Sequence, residues 1–166
     1  MMTKFEKVRQ VLFSITSKDL KKINKKAIFP YPQHPDKMKP EELENAIVTC
    51  KFPGTKEEIA AAVVIDSFMF LFTSDEVYAS PNCFSAFGLD IHAVEMPVRY
   101  ADLERVGLYS DCMDMHMLRN LLKKTVNGYG VCKLTYKDGR VVNTYVGMFC
   151  VFMAEAINKI LVNIEG

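Results

Sequence analysis

The segment Asp111-Cys112-Met113-Asp114-Met115-His116-Met117 carries the most chemistry per residue in this chain. In an extended conformation, side chains alternate between faces. Cys112, Asp114 and His116 would then share one face as a three-ligand set for zinc, with the three methionines on the other. In a helix, Cys112 and His116 stand at i and i+4 and Asp114 turns away. Either geometry leaves a structural site short of its fourth ligand, and nothing else in the sequence nominates one. The alternative is that Met115 and Leu118 pack inward while Asp111, Asp114 and His116 meet solvent. Metal content measured on protein purified without a nickel column separates the two.

Covalent catalysis needs a thiol or hydroxyl beside a base and an orienting group. Five cysteines, three histidines and many acids make some such triad combinatorially inevitable, so none is nominated as catalytic. GxSxG, HExxH, P-loop and GxGxxG patterns are all lacking. Glu41-Glu42 and Glu57-Glu58 are adjacent pairs that leave a helix in different directions, which suits neither to an acid/base dyad. No cofactor is expected.

Two further groups point to binding. Lys18, Lys21, Lys22, Lys25 and Lys26 follow the apolar residues Phe5, Val8, Leu12 and Ile15, a pattern that suits an anionic membrane surface or an acidic partner. The same pattern also suits a helix whose apolar side docks on its own protein while the lysines stay solvated. Asn82-Cys83-Phe84-Ser85-Ala86-Phe87-Gly88, taken as a loop, would expose Phe84 and Phe87 as a partner contact or an oligomer interface. Phe29-Pro30-Tyr31-Pro32-Gln33-His34-Pro35 either lines a ligand groove or serves as a rigid connector.

The elements that must position these residues can be traced from periodicity. Phe5, Val8, Val11, Leu12 and Ile15 recur at helical spacing, and Thr16 or Ser17 breaks that helix and caps a second. The proline-rich stretch that follows cannot propagate a helix or a central strand. Pro40 then opens another helix, with Glu41 and Glu42 at its positive end. From Ala60 the apolar runs shorten to strand length: 60–65, 68–72 and a strand containing Val77-Tyr78. His92 to Tyr100 is a further strand, which Pro97 demotes to an edge or bulge. Lys137-Asp138-Gly139 forms a three-residue hairpin loop that sets Leu134 opposite Val142 and Cys132 opposite Thr144. Leu118, Leu121 and Leu122 suggest a short helix, and Met148 to Ile164 is a long amphipathic one.

That order predicts an α+β protein. Four of its pieces resemble a group of bacterial proteins with a pleckstrin-homology-like domain: Glu57-Glu58-Ile59-Ala60 before the 63–66 strand; Phe70 to Tyr78 around Thr73-Ser74-Asp75-Glu76; Val98-Arg99-Tyr100-Ala101-Asp102-Leu103-Glu104-Arg105-Val106; and Leu134 to Gly139 ahead of the last helix. The resemblance spans residues 57–164. It implies an antiparallel, strongly bent sheet or partly closed barrel capped by the C-terminal helix, and domains of this kind bind lipids, peptides or proteins. The two N-terminal helices and residues 83–91 are additions to that pattern.

The 166 residues suffice for one domain with a substantial core, divided into a helical, proline-rich extension over 1–58 and a body over 59–166. The net charge of +1 lacks the Lys and Arg excess of a general nucleic-acid binder. It conceals eight bases against two acids in residues 1–26, and nine against twelve in residues 60–166. Widely spaced cysteines, odd in number, and a charged N-terminus point to free thiols and a cytoplasmic location. The expected function is therefore a non-catalytic domain that binds a protein partner or a second copy of itself, with a membrane surface as a variant. A small enzyme or metal-binding protein built on Cys112, Asp114 and His116 is the runner-up.

Overall fold

The computed structural model of the chain describes residues 1–25, 27–86, 91–108 and 130–165. Three helices come first: α1 (Lys4–Ser14), α2 (Ser17–Ile23) and α3 (Pro40–Thr49). Strands β1 (Ala61–Ile65), β2 (Phe68–Phe72), β3 (Glu76–Ala79), β4 (Val98–Arg99), β5 (Leu103–Leu108), β6 (Val131–Tyr136) and β7 (Val141–Tyr145) follow, and α4 (Cys150–Glu165) closes the chain. Short 3-10 turns occupy Pro35–Lys37, Lys56–Glu58 and Tyr100–Asp102.

Local chemistry sets the helix ends. The Thr3 hydroxyl accepts the Glu6 N–H at 3.1 Å to start α1. At the α1–α2 break, Thr16 Oγ1 accepts the Asp19 N–H and Asp19 Oδ2 accepts the Thr16 N–H, a reciprocal capping box. Those bonds hold the Asp19 carboxyl below the usual carboxylate range. Pro40 occupies the first turn of α3, where a missing N–H removes nothing.

The strands form two antiparallel sheets, β1-β2-β3-β4 and β5-β6-β7. The hairpin between β6 and β7 has the expected register, Leu134 opposite Val142 and Cys132 opposite Thr144, with Gly139 at φ 97°. The sheets remain distinct: among the described residues there is no closed barrel. β4 is short: it pairs with β3 only through Glu76–Arg99 and Val77–Val98, because the position before it would set Pro97, which has no N–H, against Tyr78. After Arg99 the chain turns through Tyr100–Asp102 into the second sheet. That corner is held by Tyr100, whose buried hydroxyl donates to the Thr73 carbonyl at 3.0 Å.

Both faces of the first sheet are covered. Ala61, Val63, Phe70, Phe72 and Val77 enter the main core, whereas Ala62, Met69, Leu71 and Tyr78 pack with Leu43 and Ala46 of α3. The main core continues through the second sheet to Phe149, Phe152, Met153, Ile157 and Ile160 around α4. α1 lies on α4 with Val8, Val11 and Leu12 buried, so the apolar side of the basic N-terminal region docks on the body of the same chain. Among the described residues no helix is long and apolar enough to cross a membrane.

Three of the four outer sheet edges carry a partner. Gln33 pairs with Ala62 on β1, and Ser85 pairs with Tyr145 on β7. On β5, Asn158 of α4 does the work of a strand: its Oδ1 accepts the Val106 N–H at 2.8 Å and its Nδ2 donates to the Val106 carbonyl at 2.7 Å. An aliphatic residue at 158 would strand both backbone groups. Asn158→Leu is therefore expected to lower stability by about 2 kcal/mol. Asn158→Asp should recover little of that, because its carboxylate would face the Val106 carbonyl. Denaturant midpoints of the two variants check this; a Leu variant as stable as the parent would mean the clamp contributes nothing.

Candidate functional site

A concavity of about 640 Å3 lies between α1, the proline-rich segment and the start of α3. Its position follows from the sequence on either side. Arg9 and Phe13 stand one turn apart on α1 and face the same way. Prolines keep Phe29 to Pro35 extended, and the Gln33–Ala62 pairing fastens that segment to the edge of β1. Pro32, Gln33 and His34 form one wall, and Lys37, Met38, Lys39 and Glu42 form the other.

Arg9 is the best-anchored cation of this groove. Its Nε donates to the Ala60 carbonyl at 2.8 Å, its Nη2 to the Ile59 carbonyl at 3.3 Å, and its guanidinium lies over the Phe5 ring at 4.7 Å. Lys37 and Lys39 line the same groove and are exposed. The lining thus carries three cations against one anion, Glu42, with His34 besides. His34 Nδ1 accepts the Asp36 N–H at 3.1 Å, capping the turn that presents Lys37. Apolar surface comes from Phe13, Pro32 and Met38. Close by, Tyr31 adopts φ 53° and projects its ring, 70% exposed, beside Phe29 at a centroid distance of 4.7 Å. A bulky residue rarely adopts that conformation without constraint.

A second cavity of about 450 Å3 has the opposite character. Glu57, Glu58, Asp75 and Glu76 line it together with Phe5, Phe52 and Tyr78. The hydrogen bond from Lys4 to Asp75, at 2.9 Å, keeps that carboxyl below its ordinary range. Burial, followed by donation to Glu76 Oε1 at 2.9 Å, pushes the Tyr78 hydroxyl up to about 12.

The residues singled out by sequence fare differently. Lys18, Lys21, Lys22 and Lys25 are exposed on and after α2, away from the lining of the groove. Phe84 requires a correction. It is 2% exposed and belongs to the main core, its ring edge-on to Phe70 at 6.2 Å and 86°. The loop carries Phe84 at φ 55°, and this left-handed residue turns the side chain inward, so it presents no aromatic surface to a partner. Phe87, Cys112, Asp114 and His116 lie outside the described residues. Among the described residues no three His, Cys, Asp or Glu side chains are grouped to hold a metal ion.

The described cysteines, Cys50, Cys83, Cys132 and Cys150, are buried. Burial pushes their thiols upward, Cys83 to about 11 and Cys50 and Cys150 to about 12. Near neutral pH they remain protonated and pack as small hydrophobes.

The groove itself escaped a residue-by-residue reading, because α2 and the proline-rich segment separate Arg9 from Lys37 and Lys39. The available signal was the proline-rich segment, for which groove lining was one of two expectations. Comparison of the chain with family models, with curated proteins and with solved structures finds no match.

Proposed function

We propose that this protein is a binding domain of pleckstrin-like architecture that holds an acidic segment of a protein partner in the groove between α1 and α3. Support for the architecture comes from the succession of a four-stranded and a three-stranded antiparallel sheet closed by a C-terminal helix. The observation that carries the function is the groove's lining, three cations to one anion around Phe13, Pro32 and Met38. Such a mixture offers apolar area for affinity and charge for orientation and choice of partner.

Short fluorescent peptides supply the test. Ten-residue peptides rich in Asp and Glu with one aromatic residue should bind, and counterparts with lysine at the acidic positions should not. The double variant Lys37→Glu, Lys39→Glu should weaken acidic-peptide binding by about tenfold or more, the effect of about 1.4 kcal/mol. Equal binding of acidic and basic peptides, or indifference to the double variant, would remove this reading.

A further inference from the structure

The basic groove and the acidic cavity are neighbours on one face. Arg9 lines the first and Phe5 the second, and the guanidinium of one lies over the ring of the other. A second join links the two regions, from Lys56 in the turn beside the acidic cavity to Asp36 in the turn beside the groove, at 3.5 Å. Four carboxylates line the acidic side; Lys4 pairs with Asp75 at 2.9 Å and Arg99 with Glu76 at 3.5 Å, which leaves Glu57 and Glu58 to carry its charge. Lys37, Lys39, Glu57 and Glu58 are all exposed, and none of them takes part in an ion pair among the described residues.

From this arrangement we propose that the face docks a second copy of the chain about a two-fold axis, the basic groove of each copy meeting the acidic cavity of the other. The proposal rests on the groove's being a protein-binding site and names the partner. A two-fold axis brings the same patch together from both sides, so that residue i meets j and j meets i. A patch of adjacent opposite charges is complementary to itself under that operation, and every pairing of Lys37 or Lys39 with Glu57 or Glu58 is made twice. Exposed ion pairs contribute little each, so charge sets the register and rejects other orientations. Apolar area comes from Phe13, 44% exposed in the groove wall, and from Tyr31 beside it. Aromatic side chains are the usual anchors of such contacts.

Sedimentation velocity of the full chain, from about 1 to about 200 µM, tests the proposal in the range where modest dimers dissociate. Wild type should pass from monomer to dimer across it. The variant Lys37→Glu, Lys39→Glu makes both halves of the face acidic, and Glu57→Lys, Glu58→Lys makes both basic; each alone should dimerise about tenfold more weakly or worse. An equimolar mixture of the two should recover the dimer, because acid again faces base twice. Recovery in the mixture also establishes that both variants are folded. A wild type that stays monomeric, a variant that dimerises like wild type, or a mixture that fails to recover would each overturn self-docking. A monomeric chain that still binds the acidic peptide would leave the groove reading standing, whereas loss of both would end the two together.

Discussion

Replacing Phe84 with alanine should lower the free energy of unfolding by about 3–5 kcal/mol, the range for truncating a buried phenylalanine. The ring is 2% exposed and packs edge-on against Phe70, which itself lies wholly within the main core. Alanine would leave a cavity there, and it would keep the φ of 55° that any side chain at this position must accept. Phe84→Leu retains most of the volume and should cost under about 2 kcal/mol. Calorimetry on both variants gives the answer, since in a domain of this size each kcal/mol moves Tm by about 2–4 °C. A Phe84→Ala protein within about 1 kcal/mol of the parent would mean that the ring is a surface contact after all.

The second large effect belongs to Gly147, two residues after β7 and just ahead of α4. It adopts φ 87°, and a Cβ built there would lie 2.6 Å from Cε1 of Phe68. Phe68 cannot move away freely because its ring packs edge-on against Phe149 at 5.8 Å. Gly147→Ala therefore combines left-handed strain with overpacking, a loss of about 2–4 kcal/mol. Gly139 provides the control. Its φ is 97°, yet nothing lies within 4 Å of an added Cβ, so Gly139→Ala bears the backbone strain alone, about 1 kcal/mol. Chemical denaturation of the pair separates strain from crowding; equal losses would show that Phe68 yields at no expense.

These two glycines mark how far sequence could be taken. The role of Gly139 was legible because Tyr136 to Arg140 is a local turn between two apolar runs, and register within one hairpin depends on residues only a few positions apart. The contact of Gly147 with Phe68 joins two segments far apart in the chain, and no periodicity announces it. Phe84 shows the same limit in reverse. An aromatic in a stretch without helical or strand period looks exposed, and only the left-handed turn at that residue sends its ring into the core.

The basic N-terminal region was legible as an amphipathic pattern with a break at Thr16 or Ser17; that Thr16 makes the cap, with Asp19, came from the structure. Which surface its apolar side would meet was not legible either. Free energy of burial is proportional to area and indifferent to the identity of the covering surface, so a membrane, a partner and the chain's own α4 fit the pattern equally. Likewise, Pro97 announced the weakness of β4, but the passage of the chain through Tyr100–Asp102 into a second sheet depended on packing far from that residue.

Sequence alone determined the α+β class, the break between the first two helices and the register of the last hairpin, because each follows from interactions along a few neighbouring residues or from average polarity. Tertiary structure decided the docking of α1, the inward turn of Phe84, and the meeting of Arg9 with Lys37 and Lys39. It also set the basic groove beside the acidic cavity. Each of these depends on long-range packing, where many apolar surfaces compete for the same partners and geometry alone selects among them.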